Sequence, residues 1–273
     1  RGGGGGVYLI GGLVTHCTIT NNSAFSDQSG RYALGGGGVY VGGGVLENSL
    51  IAHNTCNGAG DMAGAKNYCA GGGVRVAGGM VRNCLIRNNA ATEGYGYGGG
   101  VGVSGSGLIL NCTIVSNDAQ ASAGGLSSVR VPGGYVTNCV VFANSCLTPA
   151  APVNLDEPGI VAYSCSPDLT NGVSGNTTAS PLFVDLPNGN YRLALASPCR
   201  NTGANTDNGG AVDLDDAPRT WSGDGVSIVD MGSYEFSTNS ALLCDFSVFP
   251  AAGIAPVQAI FTAAVLGNTH GLY

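Results

Sequence analysis

The chain has 273 residues, and its 48 glycines disfavour long helices because glycine is a poor helix former. Seventeen acidic and ten basic residues give a formal net charge of −7, with no basic run, which argues against a nucleic-acid partner. No apolar stretch in the sequence is long enough to cross a membrane as a helix.

A glycine-rich motif occurs five times in the first half of the chain, at 2–24, 35–54, 71–90, 98–119 and 124–144. The position that is usually cysteine marks each copy, and the five markers are Cys17, Ser49, Cys84, Cys112 and Cys139. Successive markers are about 27 to 35 residues apart, a period with unequal insertions that is typical of a solenoid.

Each copy contains three strand-like pieces, GGGVxV, VxN and CxIxxN, with apolar residues that alternate as in Val74-Arg75-Val76. Two aliphatic columns emerge when the copies are aligned, one lying three residues before the marker and one two residues after it. The columns are Val14, Leu46, Val81, Ile109 and Val136, and Ile19, Ile51, Ile86, Ile114 and Val141. We expect both columns to face a narrow interior.

Two further columns consist almost entirely of asparagine, one residue before the marker and five residues after it. Asparagine tolerates the left-handed backbone of a sharp corner, and stacked asparagines can hydrogen-bond to one another along a parallel ladder. The predicted ladder residues are Asn48, Asn83, Asn111 and Asn138 in the first column, where His16 replaces the fifth, and Asn22, Asn54, Asn89, Asn117 and Asn144 in the second.

These columns predict an all-β fold, a right-handed parallel β-helix solenoid with three faces and one coil per repeat. The GG and NN signatures resemble those of bacterial surface β-helix proteins, including the polymorphic outer membrane protein repeats, over residues 1 to about 165. The resemblance implies a secreted or surface-displayed protein. The chain opens within a repeat, and we expect it to be a piece of a longer or processed chain.

The remaining chain predicts two further regions. Residues 166–236 are interpreted as a C-terminal coil and cap, because an open coil end exposes unpaired strand edges. Their sequence motifs PLFVD, GNYRL and VDMGSYE resemble the "choice-of-anchor" end region of secreted bacterial β-helix proteins. Residues 237–273 are interpreted as a linker followed by the first strands of a polycystic-kidney-disease-type immunoglobulin-like domain, or as a tail that links subunits.

The ten cysteines suggest two roles. Those in the marker column are expected to form an inward stack of thiols. Cys56 and Cys69 bracket an insertion and are predicted to form a disulfide, while Cys165 and Cys199, or Cys146 with one of them, are candidates for a second one; the pairing among these and Cys244 stays open. An even cysteine number and few lysines favour an extracellular protein.

Catalytic chemistry has little support in the coils. Polysaccharide lyases of β-helix type need a basic residue beside Ca²⁺, and hydrolases need two or three aspartates on adjacent coils. The acidic residues of the coils share no column; they are Asp27, Glu47, Asp61, Glu93 and Asp118. The three histidines form no triad, and no nucleotide-binding motif is present. We predict a non-enzyme without a required cofactor.

Calcium is the one metal that the sequence suggests. The acidic set Asp207, Asp213, Asp215, Asp216, Asp224 and Asp230 offers oxygen ligands, of which Asp213, Asp215 and Asp230 are the chosen candidates. The alternative is that Asp215 or Asp216 pairs with Arg219. Tyr8 and Tyr40 share an outward column, interpreted as a surface patch in preference to a sugar-stacking strip.

The expected function is therefore structural or adhesive, as a stalk or fibre subunit of a bacterial surface that assembles head to tail. The expected partners are other copies, other surface proteins and glycans. The alternative is a carbohydrate-binding or polysaccharide-degrading β-helix module, and a third hypothesis is an autotransporter-like passenger.

Overall fold

The computed structural model describes residues 3–25, 35–58, 68–92, 95–128, 134–148, 151–156, 160–206, 209–220 and 227–236. Contacts divide the chain into two units, 1–236 and 237–273. The second unit, with the segment predicted to begin an immunoglobulin-like domain, lies outside the described residues. Among those residues, none belongs to a helix with the length and apolar character needed to span a membrane.

The described structure consists mainly of three-residue strands separated by short bends, with one 3-10 turn at Val173–Gly175. The strands are β1 (Val7–Thr15), β2 (Thr18–Thr20), β3 (Ser23–Phe25), β4 (Val39–Glu47), β5 (Leu50–Ala52), β6 (Thr55–Asn57), β7 (Tyr68–Ala70), β8 (Val74–Val76), β9 (Met80–Arg82), β10 (Leu85–Arg87), β11 (Ala90–Thr92), β12 (Tyr95–Tyr97), β13 (Val101–Val103), β14 (Leu108–Leu110), β15 (Thr113–Val115), β16 (Asp118–Ala119), β17 (Leu126–Ser127), β18 (Tyr135–Thr137), β19 (Val140–Phe142), β20 (Ser145–Cys146), β21 (Val161–Ala162), β22 (Phe183–Asp185) and β23 (Asn190–Leu193).

Three parallel sheets stack copies of the same strand above one another. Sheet I has nine strands and joins β17-β13-β8-β4-β9-β14-β18-β21, with β1 paired to β4. Sheet II is β19-β15-β10-β5-β2, and sheet III is β20-β16-β11-β6-β3. The predicted fold class, an all-β parallel β-helix solenoid, is confirmed by this arrangement, because each strand pairs in parallel with its copy in the next repeat.

The division of each repeat into strands differs from the prediction. In the first two coils the GGGVxV and VxN pieces form one nine-residue strand, β1 or β4, whereas later coils split them, as in β8 and β9. The CxIxxN piece bends before its last asparagine, so that a further strand follows on sheet III. The bend falls four residues after the marker, where the φ angles are positive at Asn21, His53, Asn88, Ser116 and Ala143.

Both aliphatic columns face the interior, as predicted. Ile51, Ile86 and Ile114 are fully buried in one column, and so are Leu46, Val81 and Ile109 in the other. They belong to one continuous apolar cluster that also contains three marker thiols, Cys84, Cys112 and Cys139. The core is therefore a set of stacked columns in which each side chain packs against its own counterpart in the next coil.

The region interpreted as a cap contributes Leu169 to the coil core and also covers the side of the coils. Its antiparallel hairpin β22–β23 and the segment 227–236 lie against the outer side of sheet II. Two apolar clusters cover that side and contain residues of both regions, such as Leu85 and Val115 from the sheet and Tyr191 and Tyr234 from the C-terminal region. The C-terminal region thus covers a lateral face of the coils. The last coil itself ends near the bridge between Cys165 and Thr177.

Candidate functional site

The asparagines five residues after the marker form a continuous side-chain ladder. Each Nδ2 donates to the Oδ1 of the next asparagine at 3.0 to 3.2 Å, and each Oδ1 also accepts the backbone N–H of the preceding one. The ladder runs through Asn22, Asn54, Asn89, Asn117, Asn144 and Asn154, the last of which the sequence reading missed. The middle members are fully buried, and the ladder satisfies their polar groups inside the apolar coil.

The asparagines one residue before the marker form the corners of the coils and bind the C-terminal region. Asn48, Asn83, Asn111 and Asn138 have φ angles between 43° and 56°, the left-handed corner that the sequence predicted. Direct amide contacts join only some of them, from Asn138 to Asn111 at 2.9 Å and from Asn83 to Asn48 at 3.4 Å. Their remaining donors turn outward to the C-terminal region.

The residues that receive these donors form a strap, defined as residues 204–206 and 209–216, along the corner of the coils. Asn138 donates to the carbonyl of Ala204 at 2.8 Å, and Asn48 to the carbonyl of Asp213 at 2.7 Å. Between them, Asn83 and Asn111 both donate to the carbonyl of Gly209, at 3.0 and 2.9 Å. The strap therefore descends the coils from the last repeat towards the first.

Glycine is required where the strap comes closest to the coil. Gly210 has a φ of +82°, and a Cβ built on it would lie 2.6 Å from Nδ2 of Asn83. A side chain at this position would meet both a strained backbone and a steric overlap. The strap ends beside His16, whose Nε2 lies 2.9 Å from Oδ1 of Asp216 on an exposed surface.

The predicted calcium ligands lie in this C-terminal region, where backbone amides saturate two of them. Asp213 accepts the N–H groups of Asp215 and Ala217 at 2.8 Å and of Glu235 at 2.7 Å. Asp230 accepts the N–H groups of Asn201 at 2.6 Å and Phe236 at 2.5 Å.

Both oxygens of Asp213 and of Asp230 thus accept backbone amides, and calcium binding by Asp213, Asp215 and Asp230 stays a prediction. Asp215 forms a bidentate pair with Arg192, at 2.7 and 2.6 Å, so the expected pairing of Asp215 with Arg219 is wrong. No cluster of three or more potential metal ligands occurs within the described part of the chain.

Arg219 is 2% exposed and joins the buried carboxylates into what we call the carboxylate cluster, Asp213, Arg219, Asp230 and Glu235. Its Nε lies 3.1 Å from Oε1 of Glu235, and its two Nη atoms donate at 3.0 Å to the carbonyls of Gly232 and Asp230. Burial raises the pKa of Glu235 to about 8, against the opposing charge of Arg219. Burial likewise raises the pKa of Asp213 and Asp230, although their amide hydrogen bonds act in the other direction.

The cysteines divide as follows. Cys56 and Cys69 are joined by a disulfide. Cys165 and Cys199, predicted to form another, are free thiols in the structure, as is Cys146. The first two are buried together in an apolar cluster, and a hydrogen bond in which the Cys165 thiol keeps its proton towards Cys199, together with burial, raises the pKa of Cys165. Cys244 lies outside the described residues.

The acidic residues of the coils are engaged where the structure describes them. Glu47 forms an ion pair with Arg82 at 2.6 Å, and Asp118 accepts a hydrogen bond from the hydroxyl of Ser145. Asp27, Asp61 and Glu93 lie outside the described residues, as do Asp207 and Asp224 of the C-terminal acidic set.

A cleft of about 580 Å³ opens between the coils and the hairpin β22–β23. One wall is the corner of three successive coils, at Asn88, Ser116 and Ala143, and the other is the hairpin turn from Leu186 to Tyr191. Arg87 contributes a partly buried guanidinium. The volume falls within the range of small-molecule sites in proteins.

The sequence contains a signal for the lateral cover in the strands of sheet II. The strands of sheet II read Leu50-Ile51-Ala52, Leu85-Ile86-Arg87, Thr113-Ile114-Val115 and Val140-Val141-Phe142. Two of the four place apolar residues on both sides of the central position and the other two place one there, whereas a strand with one solvated face alternates. Such a run indicates that both faces of the sheet are covered.

Comparison with models of known protein families and with curated proteins finds no match. Among solved structures, the chain is similar to a pectate lyase, Pel9A, with a TM-score of 0.35 and 16% sequence identity. The similarity covers 86% of this chain and 68% of that protein. At this identity and TM-score, the likeness carries no argument about this chain.

Proposed function

We propose that the protein is an extracellular structural or adhesive β-helix of a bacterial surface, which serves as a stalk or fibre subunit and stacks head to tail. The observation that supports this most is the asparagine ladder from Asn22 to Asn154. Its buried side chains form hydrogen bonds between successive coils, which stiffen the solenoid along its axis. A further coil could extend the same row of hydrogen bonds.

The regular register of the coils supports the stacking part of the proposal. Among the described residues, β1, β2 and β3 pair in parallel with β4, β5 and β6, so that each coil offers the edges of its strands to the next coil. An unpaired strand edge is a template for another chain. Contacts that repeat in one direction without closing produce filaments. In this proposal, the tail 237–273 contacts the next subunit.

The test is electron microscopy of the natively purified protein, read together with its intact mass. We expect filaments whose axial repeat matches one β-helix with its tail. Thr18→Lys places a charge on the exposed edge strand β2 and should abolish the filaments, because charged edges resist pairing. Thr206→Lys, at an exposed position of the strap, should leave them intact. A protein that stays dispersed and monomeric at high concentration overturns the proposal.

Carbohydrate binding is the second candidate, and the cleft at Arg87 is the observation that favours it. Its amide, hydroxyl and guanidinium groups face the apolar residues Leu186 and Pro187, a combination that suits a sugar ring. Affinity electrophoresis in gels that contain neutral or acidic polysaccharides tests this function. Retardation that Arg87→Gln removes would support it, and unchanged mobility in every gel would contradict it.

A further inference from the structure

Cys165 and Cys199 bring two regions of the molecule together through their thiols. Cys165 belongs to the last coil, where it bridges in parallel to Val140 and so continues the outward column of sheet II. Cys199 belongs to the C-terminal region that covers this side, and its carbonyl accepts the N–H of Met231 at 2.9 Å. Both cysteines are 0% exposed and lie in one apolar cluster. A thiol of the coils therefore meets a thiol of the C-terminal region inside the molecule.

The two thiols are unreactive in the folded protein. Both are free, and we call this state the dithiol form. The hydrogen bond of the Cys165 thiol to Cys199, together with burial, raises the pKa of Cys165. The thiolate is the form of cysteine that attacks a disulfide, so a buried thiol with a raised pKa reacts poorly. Any covalent chemistry of this pair must therefore take place before the C-terminal region closes over sheet II.

The thiols of the marker column differ from this pair. Cys84, Cys112 and Cys139 also form hydrogen bonds with one another, but each lies on its own coil. Successive rungs of a parallel ladder are about 4.8 Å apart, whereas a disulfide requires Cβ atoms about 3.8 Å apart. Cys199 lies in a turn outside the ladder, about 34 residues after Cys165, so the spacing of the rungs does not restrict its approach.

We propose that Cys165 and Cys199 form a disulfide that locks the C-terminal region to the last coil. The bond forms during folding, by exchange with a small disulfide such as oxidised glutathione. One cysteine thiolate attacks the small disulfide and releases one glutathione thiolate, and the second cysteine attacks the resulting mixed disulfide and releases the other. The two protons lost by the cysteines end on the two glutathione thiols, so two cysteines are oxidised and one small disulfide is reduced.

The lock closes a loop of about 34 residues that contains the hairpin β22–β23. The strap and the segment 227–236 follow Cys199 in the chain, so the bond holds them to the coils even when the hairpin detaches. A cross-link also restricts the unfolded chain, and for a loop of this length the equilibrium constant of unfolding should fall by roughly a hundredfold. The proposal does not depend on the structural role argued above.

Refolding of the full chain tests the lock. The dithiol form is unfolded in urea and refolded in a mixture of oxidised and reduced glutathione. The remaining thiols are then alkylated, and the peptides are mapped by mass spectrometry. We expect a pair of peptides joined through Cys165 and Cys199, and an unfolding equilibrium constant roughly a hundredfold below that of the dithiol form. The dithiol form kept folded in the same mixture for the same time should retain both thiols, because they are buried.

Two cysteine variants serve as matched controls. Cys146→Ser removes a free thiol on sheet III and should leave the joined peptides and the gain in stability unchanged. Cys199→Ala should lose the joined peptides and gain no stability from refolding with glutathione. If Cys199→Ala does not fold, the peptide map of the wild type decides by itself, because it requires no variant.

The proposal is overturned if the refolded wild type contains no peptides joined through Cys165 and Cys199, or if the locked form unfolds at a lower urea concentration than the dithiol form. It is equally overturned if the folded dithiol form acquires the bond as fast as the refolding chain does, because the pair would then not be shielded by the C-terminal region.

Discussion

The coils and the C-terminal region of this protein are stabilised in different ways. In a coil, each buried residue contacts its counterpart one repeat away, as in the register of Ile51, Ile86 and Ile114. In the C-terminal region the contacts occur once each, as in the pairing of Arg219 with Glu235. The coils therefore distribute stability over many similar contacts, while the C-terminal region combines its apolar contacts to sheet II with a few buried charged groups.

The difference suggests that the two regions respond to different perturbations. The coil core holds aliphatic side chains, thiols and neutral amides, so pH should affect it little. The carboxylate cluster contains three carboxyl groups and one guanidinium, all largely buried, so its stability should depend on protonation. Four predictions follow from this contrast, in order of decreasing effect.

The largest effect is expected from pH. Because the pKa of Glu235 rises from 4.5 to about 8 on folding, the folded state holds this proton more tightly than the unfolded state. The free energy of unfolding should therefore fall as pH rises from about 4.5 to about 8, by roughly 3–5 kcal/mol at about 1.4 kcal/mol per pKa unit. Asp213 and Asp230 shift in the same direction. Urea unfolding at pH 5, 6, 7 and 8 measures the slope.

Glu235→Gln should flatten this slope and raise the stability at pH 8, because the amide stays neutral. The control is Glu47→Gln on a coil, which should keep the slope of the wild type. A wild-type stability that does not change between pH 5 and 8 would contradict the assignment to Glu235.

The second prediction concerns the middle of the ladder. Asn89→Ala leaves the buried N–H of Asn54 without its acceptor and the carbonyl of Ile51 without its donor. Since a buried polar group without a partner costs about 1–3 kcal/mol, we expect a loss of about 3 kcal/mol in unfolding free energy. Asn22→Ala, at the partly exposed end of the ladder, should cost less than 1 kcal/mol. Equal losses for the two variants would mean that the ladder does not act as a buried network.

The third prediction concerns a contact in the coils that occurs once. The disulfide joins Cys56 and Cys69 across 13 residues. Replacing both by serine should lower the unfolding free energy by about 2–3 kcal/mol, because the unfolded chain regains loop entropy. Reductant should lower the wild type equally, and Cys146→Ser, which changes a free thiol, should not. The prediction fails if the double variant unfolds at the same urea concentration as the wild type.

The smallest effect should come from the strap. Gly210→Ala and Gly172→Ala both place a side chain on a positive φ, +82° and +79°, but only the first brings Cβ against Asn83. Each should lose about 1 kcal/mol from backbone strain. Gly210→Ala should lose about 1 kcal/mol more, measured by urea unfolding, because an overpacked contact forces a local shift. Identical losses of unfolding free energy for the two variants would indicate that the strap moves away from Asn83 at no measurable cost.

The sequence was sufficient to predict the coils because their evidence is repeated five times. A column such as Ile51 and Ile86 reveals which side faces inward, and the corner asparagines reveal where the chain bends. The carboxylate cluster could not be predicted in this way. Arg219 meets Glu235 only after the strap has descended the coils, and no local pattern encodes that path. The sequence suggested Asp215 or Asp216 as its partner, but folding brings Asp215 to Arg192 and Asp216 to His16 instead.

The asparagine ladder also gives the solenoid a direction. Within the ladder, every Nδ2 from Asn22 to Asn144 donates to the Oδ1 of the asparagine in the later coil, and from Asn54 onward Nδ2 also donates to a carbonyl of the earlier coil. Amide dipoles aligned in this sense add up, and each bond polarises the next. The ladder therefore has a net dipole, with opposite partial charges at its two ends. In the proposed stack, a second molecule extends the ladder only if it has the same orientation. A reversed neighbour would set donor against donor at the junction, so the amides themselves select a polar array.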